Sequence, residues 1–364
     1  MIITVPKELK PGERRVGIDP AWTNCLVGKG HVVLVEKSAG HFSGFEDEDY
    51  EKAGAQIVDS KDELWSRGEL ILKVKELQEK EYSLLHENQI ISTFFHLTEA
   101  FEPEVCENLK KAKITTIALE QLVREGNFRV AIVPMSEIAG WNAAIQMTWL
   151  LFEAPASLGV ALANFSGAGP ARITILGGGT VGYFAAKTLL GIGAEVTILE
   201  NDLRRMAELN KLFSGRARVL YSNDENIRKS LKESVGLINA VYPMPDSKTI
   251  ITREHVKLLP QKGVIVDVGG ELIETCHYTT LENPTYTEEG VIHYCVDNAP
   301  SLVAKTSSKL LINSYMPYLI DIAEKGLDIA LKESPVLRGA LNFYKGKLVN
   351  EEVAKRQGLK MEQL

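Results

Sequence analysis

The sequence predicts an α/β protein of two doubly wound parallel-sheet domains, and three observations carry the prediction. From residue 1 to about residue 120, short apolar runs alternate with amphipathic stretches, the rhythm of strand–helix–strand units. A second series of such runs follows a long helical stretch in the middle of the chain. One turn of that second series, GGGTVG at 177–182, sets three spaced glycines between an apolar β-branched run and a helical one. At 364 residues the chain is long enough for two hydrophobic cores.

In the first region, residues 2–5, 31–35, 70–74, 89–94 and 114–118 read as strands, and 20–29, 62–67 and 102–111 read as helices. A parallel sheet is covered by helices on both faces, so its strands are near-continuous apolar runs. This region has no glycine fingerprint of its own. Residues 134–152 read as a long helix, because Met135, Ile138, Ala139, Ala143 and Met147 recur at helical spacing. It is expected to lead into the second domain. There, 173–176, 195–199, 217–221, 236–241, 263–268 and 292–296 read as the strands of a six-stranded sheet, with 181–191 as the helix after the glycine turn. Residues 308–324 are again helical, and nothing beyond them is read as another sheet. The tail is therefore expected to return to the first domain. The expected division is a discontinuous substrate domain, 1–133 with 306–364, into which a nucleotide domain, 134–305, is inserted.

Composition narrows the function classes. The chain is 45% hydrophobic and 24% charged, an ordinary globular balance. A net charge of -7 without a dense basic run argues against a nucleic-acid partner. The start, MIITVPKELK, has no basic flank ahead of an apolar core, so no signal peptide is read. The most apolar long stretch, 147–165, is broken by Glu153 and Pro155, so no membrane span is expected and a cytoplasmic location is. Cys25, Cys106, Cys276 and Cys295 lie far apart with no C-x-x-C pair, from which reduced thiols and no metal site are expected.

The glycine turn carries the first functional inference. Gly177 allows the tight strand-to-helix turn, Gly179 lets a pyrophosphate approach the backbone, and Gly182 lets the helix press on its strand. The N-terminal N–H groups and dipole of the following helix would face that pyrophosphate. The next strand ends in Glu200, close to the spacing of about 20 residues at which an acidic side chain meets the ribose hydroxyls. A carboxylate there repels a 2′-phosphate. The second domain is thus expected to be Rossmann-like and to bind NAD rather than NADP.

Hydride transfer to or from a nicotinamide needs a group to orient the reacting carbon and an acid/base to move the accompanying proton. Parallel sheets place ligands at the carboxyl ends of their strands. Three cations of the first domain fall there: Arg15 in the loop after the first strand, Lys75 after the strand at 70–74, and His96 after the strand at 89–94. An imidazole both accepts and donates a proton near neutral pH. Lys73 is an equal candidate, since strand alternation points Lys73 and Lys75 to one face. Arg15 could clamp a carboxylate with two parallel hydrogen bonds, although adjacent Arg14 makes a solvated basic turn the competing reading. Asp267 and Glu271 are the acids nearest the carboxyl edge of the second sheet, where a lone acid is as often a helix cap. His293 and Cys295 read as packing.

A set of blocks in fixed order, VPKE at 5–8, ERRV at 13–16, KVKE at 73–76, FHL at 95–97, PMSEIAG at 134–140, ILGGGTVG at 175–182 and HYCVDNAP at 293–300, resembles the alanine dehydrogenases and the wider group of saccharopine dehydrogenases and transhydrogenase nucleotide-binding subunits. The resemblance covers nearly the whole chain. It implies two Rossmann-like domains, the NAD domain inserted into the catalytic one, in a homo-oligomer, a hexamer or a dimer. It implies that Arg15 and Lys75 hold the substrate carboxylate and its carbonyl or imine, and that His96 is the acid/base. It favours Lys75 over Lys73. It places Ser136 and Asn298 against the cofactor, Asn298 also near substrate, and Glu200 and Ser222 against the adenosine, with Gly177, Gly179, Thr180, Val181, Gly182, Arg205 and Val241 completing the cofactor contacts.

The chain departs from that pattern in two places. Alanine-specific members carry a catalytic Asp four residues after the strand-ending Asp, in an I-D-Q-G-G turn. Here the same step from Asp267 lands on Glu271 in VDVGGELIETC, within a shorter loop before Tyr278, so Glu271 is expected as a longer carboxylate in that role. Trp141 and Asp297 also stand where the alanine enzymes usually have Arg and Ala, and VDNAP is closer to the branch that joins an amino acid to a keto acid through a secondary amine. The expected function is an NAD-dependent amino-acid oxidoreductase resembling L-alanine dehydrogenase. The alternatives are a saccharopine-dehydrogenase-like or carboxyethyl-amino-acid-synthase-like enzyme, and a non-catalytic or transhydrogenase-like nucleotide-binding subunit.

Overall fold

A computed structural model describes residues 1–152, 157–243, 247–270 and 272–363. The chain divides into two compact units, one made of Met1–Met135 with Ser301–Leu364, the other of Ser136–Pro300.

The first unit opens with β1 (Ile2–Val5), α1 (Pro20–Gly28), β2 (Val32–Glu36), α2 (Asp47–Lys52), β3 (Gln56–Val58), α3 (Lys61–Arg67), β4 (Leu70–Leu72), α4 (Glu79–Tyr82), β5 (Ile90–Thr93), α5 (Pro103–Lys111) and β6 (Thr115–Ala118). The six strands form one parallel sheet in the order β3-β2-β1-β4-β5-β6. Both faces are buried, and the period-two geometry of a strand divides neighbours between them. Val33, Val35, Leu70 and Leu72 join one core, while Leu34 and Ile71 join the other with Leu64 and Trp65 of α3. Helix starts follow local chemistry. Asp19 caps α1 by accepting from the Trp22 N–H, with Pro20 in the first turn, and Ser60 caps α3 through the Glu63 N–H. The sequence reading missed β3 and α2. Three residues are too few to show a period, and DEDYEK buries only Tyr50.

A small antiparallel pair, β7 (Val123–Arg124) with β8 (Phe128–Arg129), precedes α6 (Ile132–Phe152). The second unit continues with β9 (Arg172–Leu176), α7 (Thr180–Ile192), β10 (Glu195–Glu200), α8 (Leu203–Phe213), β11 (Ala217–Tyr221), α9 (Asp224–Lys232), β12 (Gly236–Asn239), α10 (Arg253–Val256), β13 (Val264–Asp267), β14 (Thr285–Glu288) and β15 (Val291–Tyr294). Its sheet runs β11-β10-β9-β12-β13-β15-β14, parallel except for the antiparallel edge strand β14. The expected six strands are present with a seventh beyond them, and the edge strand hid because TYTE is half exposed and reads as a loop. Order reverses between β9 and its two neighbours β10 and β12, the switch point at which doubly wound sheets bind ligands. Both units are Rossmann-like.

The tail contributes α11 (Ala304–Lys325), α12 (Leu327–Glu333), α13 (Pro335–Gly339), β16 (Phe343–Tyr344), β17 (Lys347–Leu348) and α14 (Glu351–Gln357). It does supply a further sheet, the two-stranded β16/β17, contrary to the reading of the sequence. Leu311, Ile312, Tyr315 and Leu319 of α11 enter the first unit's core, and the Tyr315 hydroxyl donates to the Gly17 carbonyl. Among the described residues no helix is long and apolar enough to cross a membrane.

Within the second unit α6 meets the start of α7 at a glycine. A Cβ on Gly140 would lie 2.2 Å from the Val181 carbonyl oxygen, so only a bare Cα permits the approach. Gly140→Ala is therefore expected to destabilise the protein by about 1–3 kcal/mol. The check is a lowered urea midpoint at constant slope, and an unmoved midpoint would contradict it.

Candidate active site

The nucleotide half is built at the carboxyl ends of β9, β10 and β12. Gly177 leaves β9 at φ +91, a left-handed conformation, and its N–H donates to the Leu199 carbonyl at 2.8 Å. A Cβ on Gly182 would fall 2.0 Å from the Gly177 carbonyl oxygen, so the first turn of α7 rests directly on the end of its strand. Gly179 is different. It is exposed, and a Cβ there would meet nothing within 4 Å, so its bare backbone faces open space rather than protein. It is also the N-cap of α7 and offers no side-chain cap, whereas α8 and α9 are capped by Asp202 and Asn223. The N-cap residue thus leaves the first N–H groups of α7 without a side-chain acceptor, and a pyrophosphate fits that chemistry.

Glu200 ends β10 and reaches back to this turn. Its Oε2 accepts from the Gly178 N–H at 2.7 Å, and Oε1 accepts from the N–H groups of Asn201 and Asp202 at 2.7 and 3.0 Å. A carboxylate oxygen can take more than one donor, so the ribose hydroxyls remain compatible with this arrangement. Arg205 donates from Nε to the Gly178 carbonyl at 2.7 Å and lies over the Tyr183 ring. The Ser222 N–H donates to the Glu200 carbonyl at 2.9 Å. Val241 closes the turn from β12, where its Cγ2 would stand 2.7 Å from a Cβ on Gly177. Thr180 and Val181 begin α7, both half-buried. Ser136 precedes Gly140 by one helical turn on α6 and so shares the face that meets Val181. Asn298 follows β15 in a left-handed conformation, φ +61.

The candidate substrate residues lie past the carboxyl ends of β1, β4 and β5. Arg15 is only 3% exposed while Arg14 beside it is exposed, so the two adjacent arginines are separated by burial. Glu13 engages the Arg15 guanidinium along one edge, accepting from Nε at 2.8 Å and from Nη2 at 2.6 Å, while Nη1 points at Met135 Sδ at 3.2 Å. The loop that carries Arg15 is pinned by three serines: Ser301 accepts from the Arg14 N–H, Ser43 donates to the Arg14 carbonyl, and Ser308 accepts from the Val16 N–H.

The two lysines part company. β4 stops at Leu72, so strand alternation does not govern Lys73 and Lys75, and they do not share an environment as expected from the sequence. Lys73 is wholly buried between Glu81, 2.8 Å away, and Glu8, 3.3 Å away. Burial alone would lower its pKa, but the two carboxylates hold it above the ordinary lysine value. Lys75 is half-buried. Its N–H donates to Glu8 Oε2 at 3.3 Å, and its carbonyl accepts from Thr93 Oγ1 at 2.6 Å.

His96 follows β5 at φ +56, an uncommon conformation for a residue with a Cβ. Its ring stacks on Phe94 with centroids 5.8 Å apart, and Nδ1 lies 3.0 Å from Glu99 Oε2. Its N–H donates to Glu120 Oε1 at 2.7 Å, and the Phe95 N–H reaches both Glu120 oxygens at 3.2 Å. Glu120 is 3% exposed, and burial pushes its carboxyl above the usual range, with His96 and these N–H groups pulling against the rise. Sequence reasoning overlooked Glu120 and Gly140, though signals for both existed. Glu120 follows a parallel strand, the rule that picked out His96, and a glycine inside a helix marks a close approach. Asp267 ends β13, where Oδ1 accepts from Asn239 Nδ2 at 2.8 Å and from the Gly270 N–H at 2.9 Å. Glu271, expected to replace the family's catalytic Asp, lies outside the described residues.

Comparison with known proteins gives a consistent result. Residues 4–139 match the family described as Alanine dehydrogenase/PNT, N-terminal domain, and residues 143–351 match Alanine dehydrogenase/PNT, C-terminal domain. The chain is similar to the alanine dehydrogenase of Bacillus subtilis (strain 168), 40% identical over 363 residues, covering 98% of this chain and 95% of the relative. The alanine dehydrogenase of Methanococcus maripaludis is 41% identical over 365 residues, covering 99% and 97%. A solved L-alanine dehydrogenase superposes with a TM-score of 0.93 at 38% identity, covering 98% of this chain and 99% of that one. A transhydrogenase from Sinorhizobium meliloti shares the fold, TM-score 0.82 at 21% identity, covering 96% and 100%.

The buried Glu120 carboxyl generates a pH-dependent expectation. Because its folded pKa is raised, the folded state binds more protons than the unfolded one above the ordinary value of 4.5. Its contribution to stability is full below that pH and is lost as pH rises towards the folded pKa. Glu120→Gln, which keeps an acceptor but cannot titrate, is expected to flatten the fall in unfolding free energy with rising pH above 4.5. Parallel urea titrations of both proteins across pH measure this, and identical slopes would refute it.

Proposed function

The chain belongs to the alanine dehydrogenase/PNT family, and on that premise we propose that it oxidises L-alanine with NAD and water to pyruvate, ammonia and NADH, reversibly. It is an NAD-dependent oxidoreductase acting on the CH–NH2 group of an amino acid. The observation that carries the substrate assignment is similarity to alanine dehydrogenases over nearly the full length of both chains. NAD, bound at the glycine turn, supplies the acceptor for the α-hydrogen.

The residues of this chain take the remaining roles. Gly177, Gly179, Thr180, Val181 and Gly182 present backbone to the pyrophosphate, Glu200 and Ser222 hold the adenosine side, and Arg205 and Val241 shape the turn. Ser136 and Asn298 complete the cofactor contacts. On the other unit, Arg15 holds the substrate carboxylate and Lys75 donates to the carbonyl or imine nitrogen. The burial of Lys73 between two carboxylates argues against Lys73 as the lysine that meets substrate. His96 takes a proton from water as it adds to the imine, then returns a proton to the departing ammonia. Orienting the substrate in this way is worth about 7–11 kcal/mol of the barrier in comparable systems. A second carboxylate, Glu271, is proposed to assist where family members use Asp.

His96→Ala is expected to lower turnover by about 10²–10⁴-fold, the usual share of a general acid/base, with NADH affinity retained. Turnover near the parent rate would remove His96 from the mechanism. The substrate assignment is tested by NADH oxidation with pyruvate plus ammonia against pyruvate plus lysine or ornithine. Consumption with ammonia supports the proposal, and consumption only with the amino-acid amines would replace it by secondary-amine formation.

We also infer a homo-oligomer, supported by Trp149 and Phe152, which sit edge to face on α6 and are about half exposed.

A further inference from the structure

The fold gathers three ligand-type side chains that lie apart in the sequence and that no step above uses. β13 and β15 are parallel neighbours with Val266 opposite Tyr294, so the next residues, Asp267 and Cys295, emerge side by side at their carboxyl ends. Cys276 joins them from the turn after β13, where its N–H donates to the Ile273 carbonyl at 3.0 Å. The two Sγ atoms and an Asp267 carboxylate oxygen all lie within 4.8 Å of one another. Asp267 and Cys295 are buried and Cys276 is half-buried, which leaves an approach from the Cys276 side.

The supporting contacts orient these groups towards one point. Asp267 Oδ1 is occupied by Asn239 Nδ2 and the Gly270 N–H, so the carboxylate is held by its outer oxygen. Its other oxygen, in a side chain 6% exposed, meets no nitrogen or hydroxyl donor among the described residues, and its neighbour there is the Cys276 thiol. No lysine, arginine or histidine forms an ion pair with Asp267 among the described residues. A buried carboxylate without a cation is unfavourable. Cys295 is fixed on both sides of its peptide, its N–H donating to Thr279 Oγ1 at 3.2 Å and its carbonyl accepting from the Thr279 N–H at 3.0 Å. The Tyr286 hydroxyl stands 3.8 Å from its sulfur.

We propose that Asp267, Cys276 and Cys295 form a site for a borderline-soft divalent cation of the zinc class. Two sulfurs and one carboxylate oxygen suit zinc, with sulfur about 2.3 Å and oxygen about 2.0–2.2 Å from the ion. Tetrahedral ligand atoms at those distances stand about 3.3–3.8 Å apart, so rotamer adjustments of an ångström or less close the site. Three protein ligands leave the fourth position to water. Two thiol protons pass to solvent as the two metal–sulfur bonds form.

The full-length protein, stripped with a chelator and kept reduced, is titrated with cobalt(II). The expected result is a thiolate-to-cobalt absorption band that saturates at one cobalt per chain and is abolished by zinc. Cys276→Ser should weaken cobalt binding at least about tenfold while NADH titration is unchanged, which shows the nucleotide unit intact. Should that variant not fold, the parent alone decides: zinc should protect Cys276 and Cys295, located by peptide mass, from alkylation. Absence of the band in protein that binds NADH would overturn the proposal. So would an identical band in Cys276→Ser, or a disulfide between the two residues in the freshly purified chain. None of these readouts depends on alanine oxidation, so failure here is separable from failure of the proposed function.

Discussion

Buried or half-buried carboxylates that accept backbone N–H groups at the carboxyl edges of the two sheets are the constraint on which the rest depends. Glu8, just past β1, accepts from Val74 and Lys75 past β4. Glu120, past β6, accepts from Phe95 and His96 past β5. Glu200, at the end of β10, accepts from Gly178 past β9, and Asp267, at the end of β13, accepts from Gly270 and from Asn239 at the end of β12. In the first three cases donor and acceptor lie past neighbouring strands, whereas Asp267 takes one donor from its own loop and one from the Asn239 side chain of the neighbouring strand. A loop leaving a strand must find partners for N–H groups the ladder no longer pairs. A carboxylate on the next strand supplies an acceptor stronger than a neutral one, and it fixes the loop's direction.

That device has an electrostatic cost, and the molecule answers it differently at each place. Lys73 offsets Glu8 and Glu81 in a closed cluster, and removing one member would leave a buried charge uncompensated. Glu120 relies on the donors it fixes, and its carboxyl is pushed up by burial. The left-handed backbone of His96 costs about 1 kcal/mol and persists because Glu120 holds the preceding N–H and its own. Strain at the proposed acid/base and a buried charge at its support are one arrangement seen from two sides.

Much of this was legible in the sequence because it follows short-range rules. Strands of a sheet buried on both faces appear as apolar runs, and the glycine turn and its terminal acid lie within one unit. The rule that ligands gather at strand carboxyl ends picked out Arg15, Lys75 and His96, whose backbones the structure pins in that position. What escaped was set by long-range register or by elements too short to show a period, such as β3 and the half-exposed β14. Lys73 and Lys75 looked equivalent because the strand was read to residue 74, whereas it ends at Leu72 and a buried triad then claims one of them. Cys276 and Cys295 looked unrelated because their proximity comes from the pairing of β13 with β15.

On the proposed function, the same carboxylate device serves two kinds of ligand recognition. In the first unit the pinned residues are Lys75 and His96, so fixing the backbone aims a side chain. In the second unit the pinned residue is Gly178, which has no side chain to aim. A Cβ there would crowd Leu209 Cδ1 and stand 3.0 Å from Glu200 Oε2, so any larger residue would have to displace those side chains. The open side belongs to Gly179, whose added Cβ would meet nothing within 4 Å. On the proposed function, fixing the backbone there makes the backbone itself the group that meets the cofactor. Sequence freedom follows the same division: loops fixed by their backbone can exchange side chains, whereas Gly177 and Gly182 are held to glycine by close contacts within their own unit.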